Sequence, residues 1–337
     1  KSLFFFKYLF LYLVTRFLIE KDFINLKLFF ISCAAVSLFV SFDIFYQFIF
    51  GKDIFGFEII GSGRKLGGPF GDELIAGGFI QRFSIFSFFV IPLFYPKNSN
   101  LISKYLIPIL FLIFLVGIIF SGNRMPLVLF VFTCFLILLF NKQVRKYFIS
   151  FLITFLILFV VIINTNSDIK NNFKNFYGQI NQMVVIIINK DFKNNNSPQY
   201  LKEFETFYDT WLINKYIGGG IKNFRYYCHH RQNIEKNAEF VCNMHPHNYY
   251  LEIMTETGLV GLVTILIIFF IIFYKSFCKK YLFRSSLQKN NLITPFIFLF
   301  ITEIFPIKST GSFFTTGNTT YLFLIICILV VLISKDI

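Results

Sequence analysis

HPHNYYLEIMTETGLVGLVTILIIFFIIF, residues 245–273, sets two histidines at the entrance of an apolar run long enough to cross a bilayer. A hydrocarbon core about 30 Å thick is crossed by roughly 20 apolar residues at 1.5 Å rise each, so this run predicts a membrane helix over about 249–274. The rest of the chain repeats the pattern. Of 337 residues, 56% are hydrophobic and 52 are phenylalanine, and the mean hydropathy is +0.66. A water-soluble domain could not hide that share of apolar surface in its core. About nine stretches qualify as spans: 3–19, 28–50, 74–95, 104–120, 125–140, 147–163, 249–274, 291–306 and 318–334. The eighth is short and carries Pro295 and Glu303. Lipid offers backbone groups no partner, and the period-two polarity of barrel strands is absent, so the spans must be helices. The expected fold is an all-α polytopic membrane protein.

A net charge of +14 could suggest nucleic acid as a partner, but the basic residues cluster on no single soluble module. They mark alternate loops instead: Lys21 and Lys27; Lys97 and Lys104; Lys142, Arg145 and Lys146; Lys275, Lys279, Lys280, Arg284 and Lys289. The positive-inside rule makes those loops cytoplasmic. The N-terminus of the chain and the segments 51–73, 121–124, 164–248 and 306–317 are then expected outside. The chain opens on Lys1, with no Met and no signal-peptide pattern, which leaves room for further helices upstream. Phenylalanine enrichment can follow from coding bias and carries no functional weight.

Segment 164–248 is too long for a plain connector. Ile169, Phe173, Phe176, Ile180, Met183 and Ile187 recur at steps of three and four, the stripe of an amphipathic helix. Ser197-Pro198 signals a second start, and the stripe Leu201, Phe204, Tyr208, Trp211 and Leu212 runs on to Gly218-Gly219-Gly220. These helices are expected to lie on the membrane or over the bundle; burial of apolar faces would account for them without further function. The expected organisation is 1–163 with about six membrane helices, 164–248 as one large outer loop, and 249–337 with about three more.

Four of the six cysteines, Cys33, Cys134, Cys278 and Cys327, sit in or beside spans, whereas Cys228 and Cys242 share the outer loop. Outside the cytoplasm such a pair usually becomes a disulfide. Zinc bound by Cys228, His229, His230, Cys242, His245 and His247 is the competing chemistry, but the spacing matches no standard zinc motif. The expectation is a disulfide and no metal.

Four polar motifs open helices on the outer face: FGDELIAGG (70–78), SGNRMP (121–126), HPHNYY (245–250) and STGSFFTTGN (309–318). Helix N-termini carry unpaired N–H groups and the positive end of the dipole, so they favour anions. Arg64, Lys65, Arg124 and Arg225 add formal charge on that side, and the set describes an outward pocket for a phosphate-bearing ligand. Each element also has an ordinary explanation. Arg124 could hold a lipid phosphate, Asp72-Glu73 could cap a helix, and His247 could be an interfacial histidine bonded to backbone. Asn248 is a candidate cap, with Pro246 stiffening its approach.

His247-Asn248, nine residues, Gly258, two residues, Gly261 resembles the signature of the O-antigen ligase and O-antigen polymerase superfamily of membrane glycosyltransferases. SGNR, GGGIKNFRYYC, GSFF and, more weakly, FGDELI are similar to the family too. The resemblance implies a GT-C-like helical bundle in the bacterial inner membrane, with one large periplasmic loop and its active site facing the periplasm. It implies transfer of a glycan from undecaprenyl diphosphate to a hydroxyl of lipid A core or of a growing polysaccharide, with neither metal nor other cofactor. Carried over to this chain, Arg124 and Arg225 would hold the diphosphate and His247 would serve as base. Asn248, Asp72, Glu73, Arg64, Gly258 and Gly261 would support them. The chemistry is coherent, because a leaving diphosphate gains negative charge and a cation about 4 Å away contributes roughly 4 kcal/mol at an effective dielectric of 20. A transporter or flippase for an anionic lipid-linked glycan is the alternative. It calls for charges near mid-membrane, which are scarce, with Asp43 and Arg82 the main candidates.

Overall fold

A computed structural model of the chain describes residues 5–59, 65–94, 99–141, 145, 153, 156–157, 160–161, 163–164, 167–189, 199–231, 242, 247–282, 292–309 and 311–334. In chain order the helices are α1 (Lys7–Glu20), α2 (Leu26–Phe50), α3 (Ala76–Phe83), α4 (Ser87–Phe94), α5 (Ser99–Phe120), α6 (Arg124–Phe140), α7 (Ser167–Asn189), α8 (Gln199–Ile213), α9 (Phe224–Tyr227), α10 (Tyr249–Phe273), α11 (Thr294–Glu303) and α12 (Thr316–Ser334). Among the described residues the only extended pairing is one bridge between Lys52 and Glu58. The protein is an all-helical, multi-pass membrane protein. Among the described residues, four helical runs are long and apolar enough to cross a bilayer: Leu26–Phe50, Ala76–Phe94, Tyr249–Leu282 and Thr316–Ser334. Tyr105–Phe120, Arg124–Phe140 and Thr294–Glu303 are apolar but shorter. Most of the predicted span 147–163 lies outside the described residues, as do Ser197-Pro198, Lys97, Lys142, Lys146, Arg284 and Lys289.

The chain divides into two compact units. One comprises Lys21–Phe173 and Ser276–Thr302. Its α2 is capped at both ends: the Asn25 carboxamide accepts from the Lys27 and Leu28 amides at 3.0 and 3.3 Å, and Gly51 closes the helix at φ 76°. Phenylalanines fill the interior, with Phe86 4.9 Å from Phe30 and 5.1 Å from Phe296 between ring centroids. Thr133 and Thr302 share a buried hydroxyl contact of 2.8 Å between α6 and α11. Asp43, one of the two charges a transporter would use, accepts the Ile54 amide at 2.8 Å, while Gln47 on the next turn accepts from Gly68 N–H at 2.9 Å. The two side chains hold Ile54 and Gly68 against α2, so Asp43 has a structural occupation.

The other unit comprises Lys1–Glu20, Lys174–Lys275 and Glu303–Ile337. Here α1 and α12 pack in parallel: Phe5 meets Phe314 at 5.4 Å and, further along both chains, Tyr8 stacks on Phe323 at 4.6 Å. α8 turns a largely polar face inward. Glu203, Thr206, Phe207 and Thr210 are buried, whereas Tyr208 and Leu212 of the predicted stripe are exposed. The reason lies in the hydroxyls: Thr206 and Thr210 return their hydrogen bonds to the helix at 2.8 and 2.6 Å, so this polar face enters the interior already satisfied. Of the apolar stripe, Tyr208 and Leu212 face outward, while Phe204 and Trp211 are half-buried.

Candidate functional site

The approach to α10 is fixed by Asn248. Its side-chain oxygen accepts from the Tyr250 and Leu251 amides at 3.0 and 3.2 Å, capping the helix, and its amide group donates to the carbonyls of Pro306 at 2.8 Å and Lys308 at 3.4 Å. One residue therefore starts the helix and ties it to the segment leading into α12. His247, half-buried, is the residue immediately before this cap. Below it lies a polar cluster the sequence did not reveal. Lys308 and Glu303 form an ion pair whose side chains are 3% and 0% exposed, and the Lys308 ammonium also donates to Tyr249 Oη at 2.9 Å. Such a pair is tolerable in a buried site only when its remaining valences are met, which Tyr249 provides. Glu252, on the next turn, accepts from the Ser312 hydroxyl and the Phe313 amide, gathering the GSFF motif onto α10. The signal available beforehand was Glu303, the carboxylate that made the eighth span anomalous.

α10 is not the continuous helix expected. Gly258 has φ 67° and ψ −168°, which breaks the helix ten residues in. Thr255 and Glu256 lose their usual amide donors, and their carbonyls instead accept from Gly219 at 3.0 Å and Gly220 at 2.8 Å. The orphaned amides of Leu259 and Val260 donate to Lys215 at 2.9 Å and Tyr216 at 3.1 Å. Four bonds to segment 215–220 replace those lost, so no backbone group is stranded. The approach is close: a Cβ at Gly258 would lie 2.2 Å from the Tyr216 oxygen, and one at Gly218 2.4 Å from Glu256 C. Gly261 is required for a different contact, since a Cβ there would lie 2.0 Å from Thr257 Oγ1. Before the break Glu252, Thr255 and Glu256 are buried; after it Val260, Val263, Ile267 and Phe270 are exposed. Residues 259–282, about 36 Å at 1.5 Å per residue, would cross a bilayer by themselves.

The docked loop carries Arg225. Glu256 accepts the Lys222 amide at 2.7 Å, and Asn223 donates to the Gly219 carbonyl at 2.8 Å. Phe224 is buried and stacks on Phe207 at 3.8 Å, so α9 is anchored through one residue and presents the next, Arg225, to the exterior. Cys228 is joined to Cys242 by a disulfide, beside which the Arg231 guanidinium donates to the Cys228 carbonyl at 2.6 Å. Burial pushes the Asp209 carboxyl up, and Arg231 draws it back down. With the two sulfurs bonded to each other they are not zinc ligands, and among the described residues no group of three or more His, Cys, Asp or Glu is placed to hold a metal. Cys228→Ser is expected to cost about 3 kcal/mol on the loop-entropy estimate. A lower Tm of the purified protein under non-reducing conditions would show it, and an unchanged Tm would remove the crosslink from the stability of this loop.

In the other unit SGNR and FGDELIAGG come together. The Leu66 amide donates to the Ser121 carbonyl at 3.3 Å, and a Cβ at Gly77 would lie 2.3 Å from Ser121 Oγ. Arg124 is half-buried and is the first residue of α6 after Asn123. Asp72 and Glu73 are exposed, and α3 starts beyond them at Ala76, with Ile75 at its cap and no capping side chain. They are therefore not the caps that their position in the sequence suggested. Arg64 and His245 lie outside the described residues. Thus Arg225, His247, Asn248, Gly258 and Gly261 belong to one unit, and Asp72, Glu73 and Arg124 to the other.

No curated protein matches the chain. A chain from a structure described as "Structural coordination of polymerization and crosslinking by a peptidoglycan synthase complex" is similar, with a TM-score of 0.47 and 14% identity over 98% of this chain and 89% of that one. The profile of the family described as O-antigen ligase matches residues 109–278, half of the chain. The matched stretch encloses SGNR, the glycine-rich loop, the disulfide pair and the His247-Asn248…Gly258…Gly261 motif. The chain belongs to the O-antigen ligase family.

Proposed function

We propose that the protein is an inverting membrane glycosyltransferase that moves a glycan from undecaprenyl diphosphate to a hydroxyl of lipid A core or of a growing polysaccharide. The observation that carries this reading is the family match over a stretch that contains Arg124, Arg225 and His247 together. The structure adds support by capping α10 with Asn248 directly after His247 and by anchoring Arg225 through Phe224. In the reaction His247 takes the proton of the acceptor hydroxyl as its oxygen bonds to the anomeric carbon. The bond from that carbon to the diphosphate oxygen breaks, and the electron pair leaves with the lipid diphosphate, whose growing charge is met by Arg124 and Arg225. Asn248, Gly258, Gly261, Arg64, Asp72 and Glu73 keep the supporting roles that the family resemblance implies. In the inner membrane the chain would cross about nine times, in the arrangement 1–163, 164–248 and 249–337, with the site facing the periplasm. The parallel course of α1 and α12 supports that topology, since both helices then begin on one side.

The test is transfer in vitro by the purified full chain with a lipid-diphosphate glycan. Cleavage of the sugar–phosphate bond with formation of a new glycosidic bond is expected, whereas a transporter leaves that bond intact. Arg124→Glu is expected to abolish donor use, and Arg225→Glu, at an exposed position, to lower it at least about tenfold, with elution of the folded protein unchanged. Wild-type donor affinity in either variant would remove that arginine from the site.

A further inference from the structure

The parallel pair α1 and α12 starts at an open cleft of about 220 Å³. Phe5, Lys7, Tyr8, Lys222, Phe314 and Thr316 are among its walls, and no carboxylate lines it. We propose that this cleft binds the phosphate or diphosphate headgroup of a membrane amphiphile, held by Lys7 and Lys222. The inference does not use the reaction proposed above.

Charge argues first. Two lysines from segments far apart in sequence meet in one cleft, and among the described residues neither is paired with a carboxylate. Charge of one sign lining a concave site concentrates counter-ions. Lys7 is held near the rim, its ammonium 5.1 Å from the Tyr8 ring centroid, and Lys222 is placed by its backbone bond to Glu256. The first turns of α1 and α12, at Lys7 and Thr316, both face the cleft, and their dipoles add to the lysine field. Size argues next. The volume corresponds to about seven waters at roughly 30 Å³ each, room for a phosphate or diphosphate. The surroundings supply the third argument. Tyr8, Phe5 and Phe314 make an aromatic rim of the kind found at headgroup depth. Beyond it Leu9, Phe10, Leu13 and Phe17 of α1 are exposed, a surface for a hydrocarbon tail. Inorganic anions would gain from the charge alone; an amphiphile gains from both.

Binding of farnesyl diphosphate and of phosphatidylglycerol in mixed micelles to the full chain, measured by native mass spectrometry and competition, tests the assignment. The double variant Lys7→Gln/Lys222→Gln is expected to bind at least tenfold more weakly, while Lys21→Gln, beyond the opposite end of α1, binds as wild type. Lysine-dependent binding of phosphatidylglycerol that displaces farnesyl diphosphate identifies a bilayer lipid as the source. Lysine-dependent binding of the diphosphate alone identifies a prenyl-linked one. Both lysines are exposed, so the variants should elute and unfold as wild type. If the double variant binds either probe as tightly as wild type, if neither probe binds, or if Lys21→Gln weakens binding equally, the site is overturned.

Discussion

Replacing His247 with alanine is expected to lower glycan transfer about 10²–10⁴-fold, the span a positioned general base commonly contributes. The loss should fall on turnover and leave donor binding near wild type, because in the proposed reaction the arginines hold the diphosphate and the histidine acts on the acceptor. Folding should survive. The backbone around His247 is held by its neighbour: Asn248 makes the cap and the bonds to Pro306 and Lys308, and none of these uses the imidazole. Single-turnover transfer with a saturating lipid-diphosphate glycan, alongside thermal unfolding, separates chemistry from structure. Full transfer at normal expression would end the base assignment, and His245→Ala belongs in the same experiment, since it is the other imidazole of the motif. A loss of donor affinity without a loss of turnover would move His247 from base to binding group.

Gly258→Ala is expected to be severely damaging for a single added methyl. The φ and ψ at this position belong to a region occupied essentially by glycine, which costs about 1–3 kcal/mol for other residues. The added carbon would also meet the Tyr216 oxygen at 2.2 Å, an overpacking worth about another 1–3 kcal/mol. The expected loss is therefore about 2–6 kcal/mol, seen as a large fall in Tm and in yield. Gly218→Ala strikes the same contact from the other side, 2.4 Å from Glu256 C at φ 71°. Once the docking is broken the second substitution has little left to disrupt, so the double variant should cost far less than the sum. Gly178→Ala, with nothing within 4 Å of the added carbon and no positive φ, is the control. A Gly258→Ala protein that unfolds like wild type would show that the loop does not need this close approach.

The outer edge of this architecture is readable from sequence and its joints are not. Apolar length announces α2, α10 and α12, and Asn248 announces a cap, because both signals are local. The break at Gly258 is concealed by the same hydrophobicity that makes α10 conspicuous: Leu259 and Val260 continue the apolar run without interruption. Gly218-Gly219-Gly220 reads as a stop for α8, yet its function in the fold is to let backbone lie against backbone. That requirement involves a partner some forty residues away and leaves no local trace. The same holds for Lys308 and Tyr249, 59 residues apart in the chain, and for Lys7 and Lys222, joined only by the cleft. For α8, hydrophobic periodicity identified the helix but not the face turned inward, since threonines that bond their own backbone behave as apolar residues in packing. Of the candidate site, Arg225 and His247 were recognisable by motif, whereas Asp72 and Glu73 were given a capping position that α3 does not use.

The repaired break in α10 also has a consequence for how the chain is made. Segment 215–220 emerges from the ribosome roughly forty residues before the amides it accepts, about two to eight seconds at ordinary synthesis rates. The patch therefore exists before the wound. When residues 249–257 appear, the strip that completes their hydrogen bonding has already been synthesised, and the disulfide partner Cys228 with it. A chain in which the order were reversed, as in a circular permutant opened between α9 and α10, would have to deliver a broken helix to the membrane with its backbone still unpaired.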